Sequence, residues 1–208
     1  MNILKKYSSF FLVFLGMFVF SNQAIAQSGK FEVPILKPNK VLTFYDFNYG
    51  DVKNYIYKKE KARKIDILVK HLSKEYKLNN PYTKEILYTL YNETEKAKID
   101  PLLFLSLIEV ESSFNQFAQS HVGAIGLSQV MPEYHQSKIQ IIAKENLDLW
   151  SIRGNIKVGV KVLQEYISMS DGNVEEALQR YNGSLHDTSK KYSKKVFTSF
   201  KKYKSLFS

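Results

Sequence analysis

The chain has 208 residues, enough for one domain with a sizeable core plus an extension. Its hydrophobic content of 44% is that of a folded protein, and the absence of cysteine rules out a disulfide framework or a thiolate metal site. The formal net charge of +10 points to anionic partners: cell wall, membrane surface or nucleic acid. No nucleic-acid-binding motif accompanies the charge, so that partner is not expected. Runs such as Lys58-Lys59 and Lys201-Lys202 also read simply as solvated faces.

Lys5 and Lys6 precede an apolar run from Phe10 to Phe20, and Ala24-Ile25-Ala26 follows as a small-residue cleavage site. These are the three parts of a secretory signal peptide, with cleavage expected before Gln27. The run is short for a membrane span, which needs about 20 residues; an uncleaved anchor is the alternative. With no cysteine after the run, a lipoprotein anchor is not expected. Loss of residues 1–26 removes Lys5 and Lys6 and no acid, so the mature charge falls by two from +10. Residues 27–50 contain Pro34, Pro38, Asn39, Asn48 and Gly50 and read as irregular. From about Lys61, Ile65, Ile67, Leu68, Leu72 and Tyr76 form a helical stripe. Asn79-Asn80-Pro81 breaks it, and a helix from about Tyr82 to Ala97 turns Ile86, Leu87, Leu90 and Tyr91 inward.

Asp100 and Pro101 are the cap and first position of the next helix. Leu102 to Ile108 is nearly all apolar, so this helix is expected to be buried on most sides. Glu109 and Glu111 follow, and at about 100° per residue they point to roughly opposite faces. Phe104, Leu107 and Ile108 share the side of Glu111. A carboxyl at the end of an apolar stripe is poorly solvated, so its pKa rises and it can serve as a general acid. An ordinary helix-end Glu is the competing reading. Ser112, Ser113 and Asn115 end the helix, and Gly123, Ala124 and Gly126 allow close approach of backbone or ligand.

The segment to Ile142 is read as part loop, part helix, and Leu147 to Trp150 as a connector. A helix from Asn155 to Ile167 follows. Gly159 within it costs about 1 kcal/mol relative to Ala, so close packing is expected there. Asp171-Gly172 is a turn, Val174 to Tyr181 a short helix, and Lys190 to Phe207 a basic amphipathic segment with Tyr192, Val196, Phe200 and Tyr203 on one side. His71, His121, His135 and His186 show no metal-ligand spacing.

The block Glu111-Ser112-Ser113-Phe114, followed by Ser120, Gly123-Ala124, Gly126-Leu127, Gln129 and Met131-Pro132, resembles the signature of lysozyme-like lytic transglycosylases of the soluble lytic murein type. Arg180-Tyr181-Asn182-Gly183 resembles a second motif of that family. The resemblance covers roughly residues 82–200. It implies a mainly α, lysozyme-like domain over 81–208, behind a 1–26 signal peptide and a 27–80 helical and irregular extension. It also implies cleavage of the β-1,4 bond between N-acetylmuramic acid and N-acetylglucosamine without water, to a 1,6-anhydro product. The implied acid/base is Glu111. Ser120, Gln129, Met131, Tyr181 and Asn182 are implied substrate-side residues, with the Tyr181 hydroxyl near the Glu111 carboxyl. No cofactor is implied.

The implied partner is peptidoglycan, with a cell-envelope secretion or conjugation machine a further candidate, and the implied location is periplasmic or secreted. Ser128, Gln116, Arg180 and Ser184 depart from the family pattern; Ser128 and Arg180 bear on subsite shape. A hydrolytic muramidase of the same fold and a non-catalytic wall-binding scaffold are the alternatives.

Overall fold

A computed structural model describes residues 49–208; the signal peptide expected over 1–26 and the segment 27–48 lie outside the described residues. Seven helices follow in order: α1 Tyr49–Tyr76, α2 Asn80–Ala97, α3 Pro101–Ser112, α4 Gln136–Ala143, α5 Ile152–Met169, α6 Val174–Tyr181 and α7 Lys191–Ser205. Isolated bridges of Ile125 with Gln119 and with Val130 are the β pairing among them. The architecture is mainly α, as the sequence predicts.

Side chains of the flanking residues start four of these helices. Asn79 Oδ1 accepts from Tyr82 N at 2.9 Å and starts α2. Asp100 Oδ1 accepts from Leu102 N at 2.9 Å and starts α3. Ser151 and Asn173 do the same for α5 and α6 through Gly154 N and Glu176 N. Each satisfies an amide that the helix itself leaves unpaired. The Ser151 cap places the start of α5 at Ile152, three residues before the predicted start.

Helix α1 begins well before the predicted Lys61. Residues 51–60 are all exposed, so they present no buried face from which periodicity could be read. Beyond them, Ile65, Leu68 and Leu72 enter the main core with Ile86, Leu87 and Leu90 of α2 and Phe104, Leu107 and Ile108 of α3. Ile156, Val160 and Leu163 of α5, Ala177 and Leu178 of α6 and Val196 and Tyr203 of α7 join it. A smaller cluster, Val130, Ile142, Leu149, Val158 and Val162, lies between α5 and the segment after α3. Helix α3 is thus apolar on most sides because α1, α2, α5 and α7 all contribute to the core around it.

Gly159 explains itself in this packing. A Cβ there would lie 2.3 Å from Ser128 Oγ and 3.0 Å from Phe104 Cζ. Gly159→Ala is expected to lower thermal stability despite its better helix propensity, by about 1 kcal/mol net. Combined with Ser128→Gly, the cost should be less than the sum of the two single changes, measured by thermal unfolding. A stabilised Gly159→Ala protein would contradict this packing.

Candidate active site

The site starts where α3 ends. Glu111 stands in the last turn, half-buried, behind the fully buried side chains of Phe104, Leu107 and Ile108. Burial pushes its pKa up from 4.5 to about 7, against the lowering effect of one hydrogen bond. That bond comes from the Tyr192 hydroxyl on α7, which donates to Glu111 Oε1 at 2.5 Å. Among the described residues nothing donates to Oε2, so the carboxyl keeps one oxygen for a ligand.

Glu109 has the opposite environment. Tyr76 of α1 and Lys202 of α7 each donate to its Oε1 at 2.5 Å, and Ser199 donates to Oε2. Burial alone would raise its pKa, but the hydrogen bonds from Lys202, Ser199 and Tyr76 outweigh that and hold it below the usual carboxylate range. Two carboxylates two residues apart on one helix are therefore set to titrate in different pH ranges. Glu109 fastens α3 to α1 and α7, and Glu111 faces a cleft.

After Ser112 the backbone turns sharply. Ser113 and Phe114 both adopt left-handed conformations, at φ 49° and 66°. This is unusual for a bulky aromatic and needs external support. The Phe114 ring is buried against Tyr76 at 4.8 Å, and its carbonyl accepts from the Tyr82 hydroxyl at 2.7 Å. Ser112 Oγ donates to Leu127 O at 2.7 Å and so ties the helix end to the small-residue loop.

Asn155 holds that loop from beneath. Its Nδ2 donates to Ile125 O and Leu149 O at 2.9 and 3.0 Å, and its Oδ1 accepts from Ser128 N and Oγ, both at 2.8 Å. All its polar capacity is used within a buried site, which is the condition for a polar core group to add rigidity. Gly126 is required beside it, because a Cβ there would lie 2.2 Å from Asn155 Nδ2.

A cavity of about 280 Å³ lies over Glu111, lined by Val110, Asn182, Ser184, Asp187, Lys191, Tyr192 and Lys195. Of the residues singled out from sequence, Glu111 and Asn182 line it. Tyr181 lies alongside: its hydroxyl donates to Ser128 O at 2.8 Å, and burial and the nearby Glu111 charge both hold it protonated. The phenol bonded to the acid is Tyr192 instead. Ser120 accepts from Ala124 N at 3.0 Å, and Gln129 Nε2 donates to Gly126 O at 3.0 Å and Ala118 O at 3.2 Å. These two hold the loop in shape, Gln129 with its own φ at 47°. Met131 is half-buried after the loop. None of these three lines the cavity over Glu111.

The two departures expected to bear on subsite shape point elsewhere. Ser128 is fully buried against Asn155 and Gly159. Arg180 donates to Glu176 at 2.7 Å and to Ser170 Oγ at 3.0 Å. Tyr192, Lys191 and Lys195 were not singled out as site residues from sequence. Their signal was the amphipathic face of the last helix, where Tyr192 reads as core and the lysines as solvent-facing.

Because the Tyr192 hydrogen bond favours the ionised form of Glu111, Tyr192→Phe is expected to raise the Glu111 pKa further above about 7. The titration of Glu111, followed by NMR of the labelled side-chain carboxyl, should move to higher pH in the variant. An unmoved midpoint would show that the phenol does not act on the acid.

A half-buried acid at a helix end, backed by a strained small-residue loop and roofed by a C-terminal helix, defines a single-carboxyl site in a helical domain. The Transglycosylase SLT domain family matches residues 89–204, more than half of the chain, and the chain belongs to that family. The match runs from within α2 into α7. The fold is also that of lytic transglycosylase Slt from Pseudomonas aeruginosa, in an X-ray structure of an inactive Glu-to-Gln mutant. The TM-score is 0.50 at 21% identity, over 58% of this chain and 24% of that one. The chain thus spans about a quarter of the length of that protein.

Proposed function

We propose that this protein is a peptidoglycan lytic transglycosylase with Glu111 as its single acid/base. The observation that carries the reading is the Glu111 carboxyl, with its pKa raised to about 7 by burial and Oε2 left open toward a cleft. An acid poised near the working pH can give a proton and take one back, and general acid–base catalysis is most efficient there.

In the first step Glu111 protonates the oxygen of the β-1,4 bond between N-acetylmuramic acid and N-acetylglucosamine, and that bond to C1 breaks. In the second, the Glu111 carboxylate takes the proton of the muramoyl C6 hydroxyl as that oxygen bonds to C1. The product is a 1,6-anhydro sugar, the acid is regenerated and no water is consumed. Most glycosidases need a second carboxylate to act as nucleophile or to activate water. Here the neighbouring Glu109 is committed to Tyr76, Ser199 and Lys202.

In this reading Tyr192 orients the acid. Asn182 contacts the glycan, and Tyr181 fixes the loop through Ser128. Ser120, Gln129 and Met131 shape and line the glycan path along the loop, with Gln129 Oε1 available to accept from an N-acetyl N–H. The mature protein would follow a 1–26 signal peptide, carry a 27–80 extension before the 81–208 domain, and act in the periplasm or outside the cell. Docking of the extension on an envelope secretion machine is part of the same proposal.

Product analysis tests the reaction. Digestion of purified peptidoglycan by the mature protein is expected to release muropeptides ending in 1,6-anhydro-muramic acid, identified by mass. Reducing muramic acid ends in their place would assign a hydrolytic muramidase.

A further inference from the structure

We propose that Lys191 and Lys195 form an anion-recognition wall in the Glu111 cleft, selecting glycan strands whose muramoyl lactyl arm carries a carboxylate. This rests on the lytic reading above and names the substrate feature read by the same cleft.

The two lysines stand four residues apart on α7, so they are neighbours one turn apart on one face. Both line the cavity that contains Glu111. Among the described residues neither makes a salt bridge, whereas the adjacent Lys190 is paired with Glu175. The other acid on the cavity wall, Asp187, is already engaged. Its Oδ1 accepts from Ser189 N at 2.9 Å and its Oδ2 from Lys191 N at 3.1 Å, which hold it at its own turn and the start of α7, and its charge also acts on Lys191. Glu111, near its midpoint at neutral pH, is a weak counter-charge. Two lysines set against Asp187 and a partly ionised Glu111 leave the cleft a small excess of positive charge beside the proposed scissile bond.

Both sugars of the glycan are neutral N-acetyl hexosamines, apart from the lactyl ether on muramic acid. That arm ends in a free carboxylate when bare, or in a peptide that carries carboxylates. A clamp of two ammonium groups suits either source and has nothing to bind on an uncharged strand.

The test uses the mature protein carrying Glu111→Gln, so that binding is read without turnover. Kd is measured by calorimetry for three soluble strand preparations: peptide-bearing, stripped of peptide, and peptide-bearing with carboxylates converted to amides. At least one carboxylate-bearing strand is expected to bind about tenfold more tightly than the amidated strand. Tighter binding of the stripped strand assigns the lactyl carboxylate, and of the peptide-bearing strand the stem. Lys191→Gln with Lys195→Gln should abolish the preference, and the Arg pair should retain it. Removing equal charge outside the cleft, with Lys70→Gln and Lys84→Gln, should also leave the preference in place.

Equal Kd values for all three strands, or a preference that survives in the Gln pair, would overturn the proposal. Its failure is separable from that of the lytic reading. An enzyme that cleaves without this preference keeps the reaction and loses the clamp; a chain that shows the preference without turnover keeps the clamp and loses the reaction.

Discussion

Glu111→Gln is expected to lower the rate of glycan cleavage by at least about 10³-fold while leaving the fold intact, measured as release of soluble muropeptides from purified walls. The amide keeps the shape and can still accept from Tyr192, but it can neither donate an acidic proton nor return as a base. General acid–base groups contribute typically 10²–10⁴-fold in a single step, and here one residue serves two steps. The wild-type rate should also fall as pH rises through about 7, because the protonated form is the one that starts the reaction. Cleavage that persists in the Gln variant would assign the acid to another residue and dissolve the one-carboxyl mechanism.

The same substitution is expected to stabilise the protein above neutral pH. The folded pKa of Glu111, about 7, exceeds its ordinary value of 4.5, so the folded state holds its proton more tightly than the unfolded chain. Stability from this group is complete below pH 4.5, is lost as pH rises through about 7, and stays lost above it. Gln carries no charge at any pH and escapes that loss. A rise from 4.5 to about 7 corresponds to about 3 kcal/mol at pH 8, an upper bound for a half-buried group. Near pH 4 the two proteins should be of nearly equal stability. At that upper bound, for a domain of this size, the pH 8 difference would raise the melting temperature by about 6–12 °C.

Glu109 titrates in both proteins, so their difference isolates Glu111. A Gln variant no more stable than wild type at pH 8 would show a well-solvated Glu111, without the desolvation that raises its pKa. Loss of activity coupled to gain of stability is the pattern expected of a group held in an environment unfavourable to its charged form.

Much of this was legible in the chain. Asp100-Pro101 and Val174 to Tyr181 mark helices whose limits depend on local capping and turn chemistry, and the structure places them where the sequence does. The opposition of Glu109 and Glu111 follows from helix geometry alone. The placement of Glu111 at the end of an apolar stripe follows from the order Phe104, Leu107, Ile108. Local rules suffice for these because the interacting atoms lie within a turn or two of one another.

The partners of the two acids were decided by the tertiary structure. Glu109 is held ionised by Tyr76, 33 residues away, and by Lys202, 93 residues away. Glu111 is bonded to Tyr192, 81 residues away, although the motif pointed to Tyr181. Asn155 organises the loop from α5, where it read only as a helix start. Ser128, a departure expected to alter a subsite, is buried against Gly159 and Asn155. The chain alone determined that a helix would end in an apolar-backed carboxyl beside a glycine-rich turn, because propensity, capping and periodicity act between neighbours. Which phenol touches that carboxyl, and which lysines share its cleft, only the folded molecule decided. Such contacts depend on how α7 packs over α3, and long-range packing has no signature in local spacing.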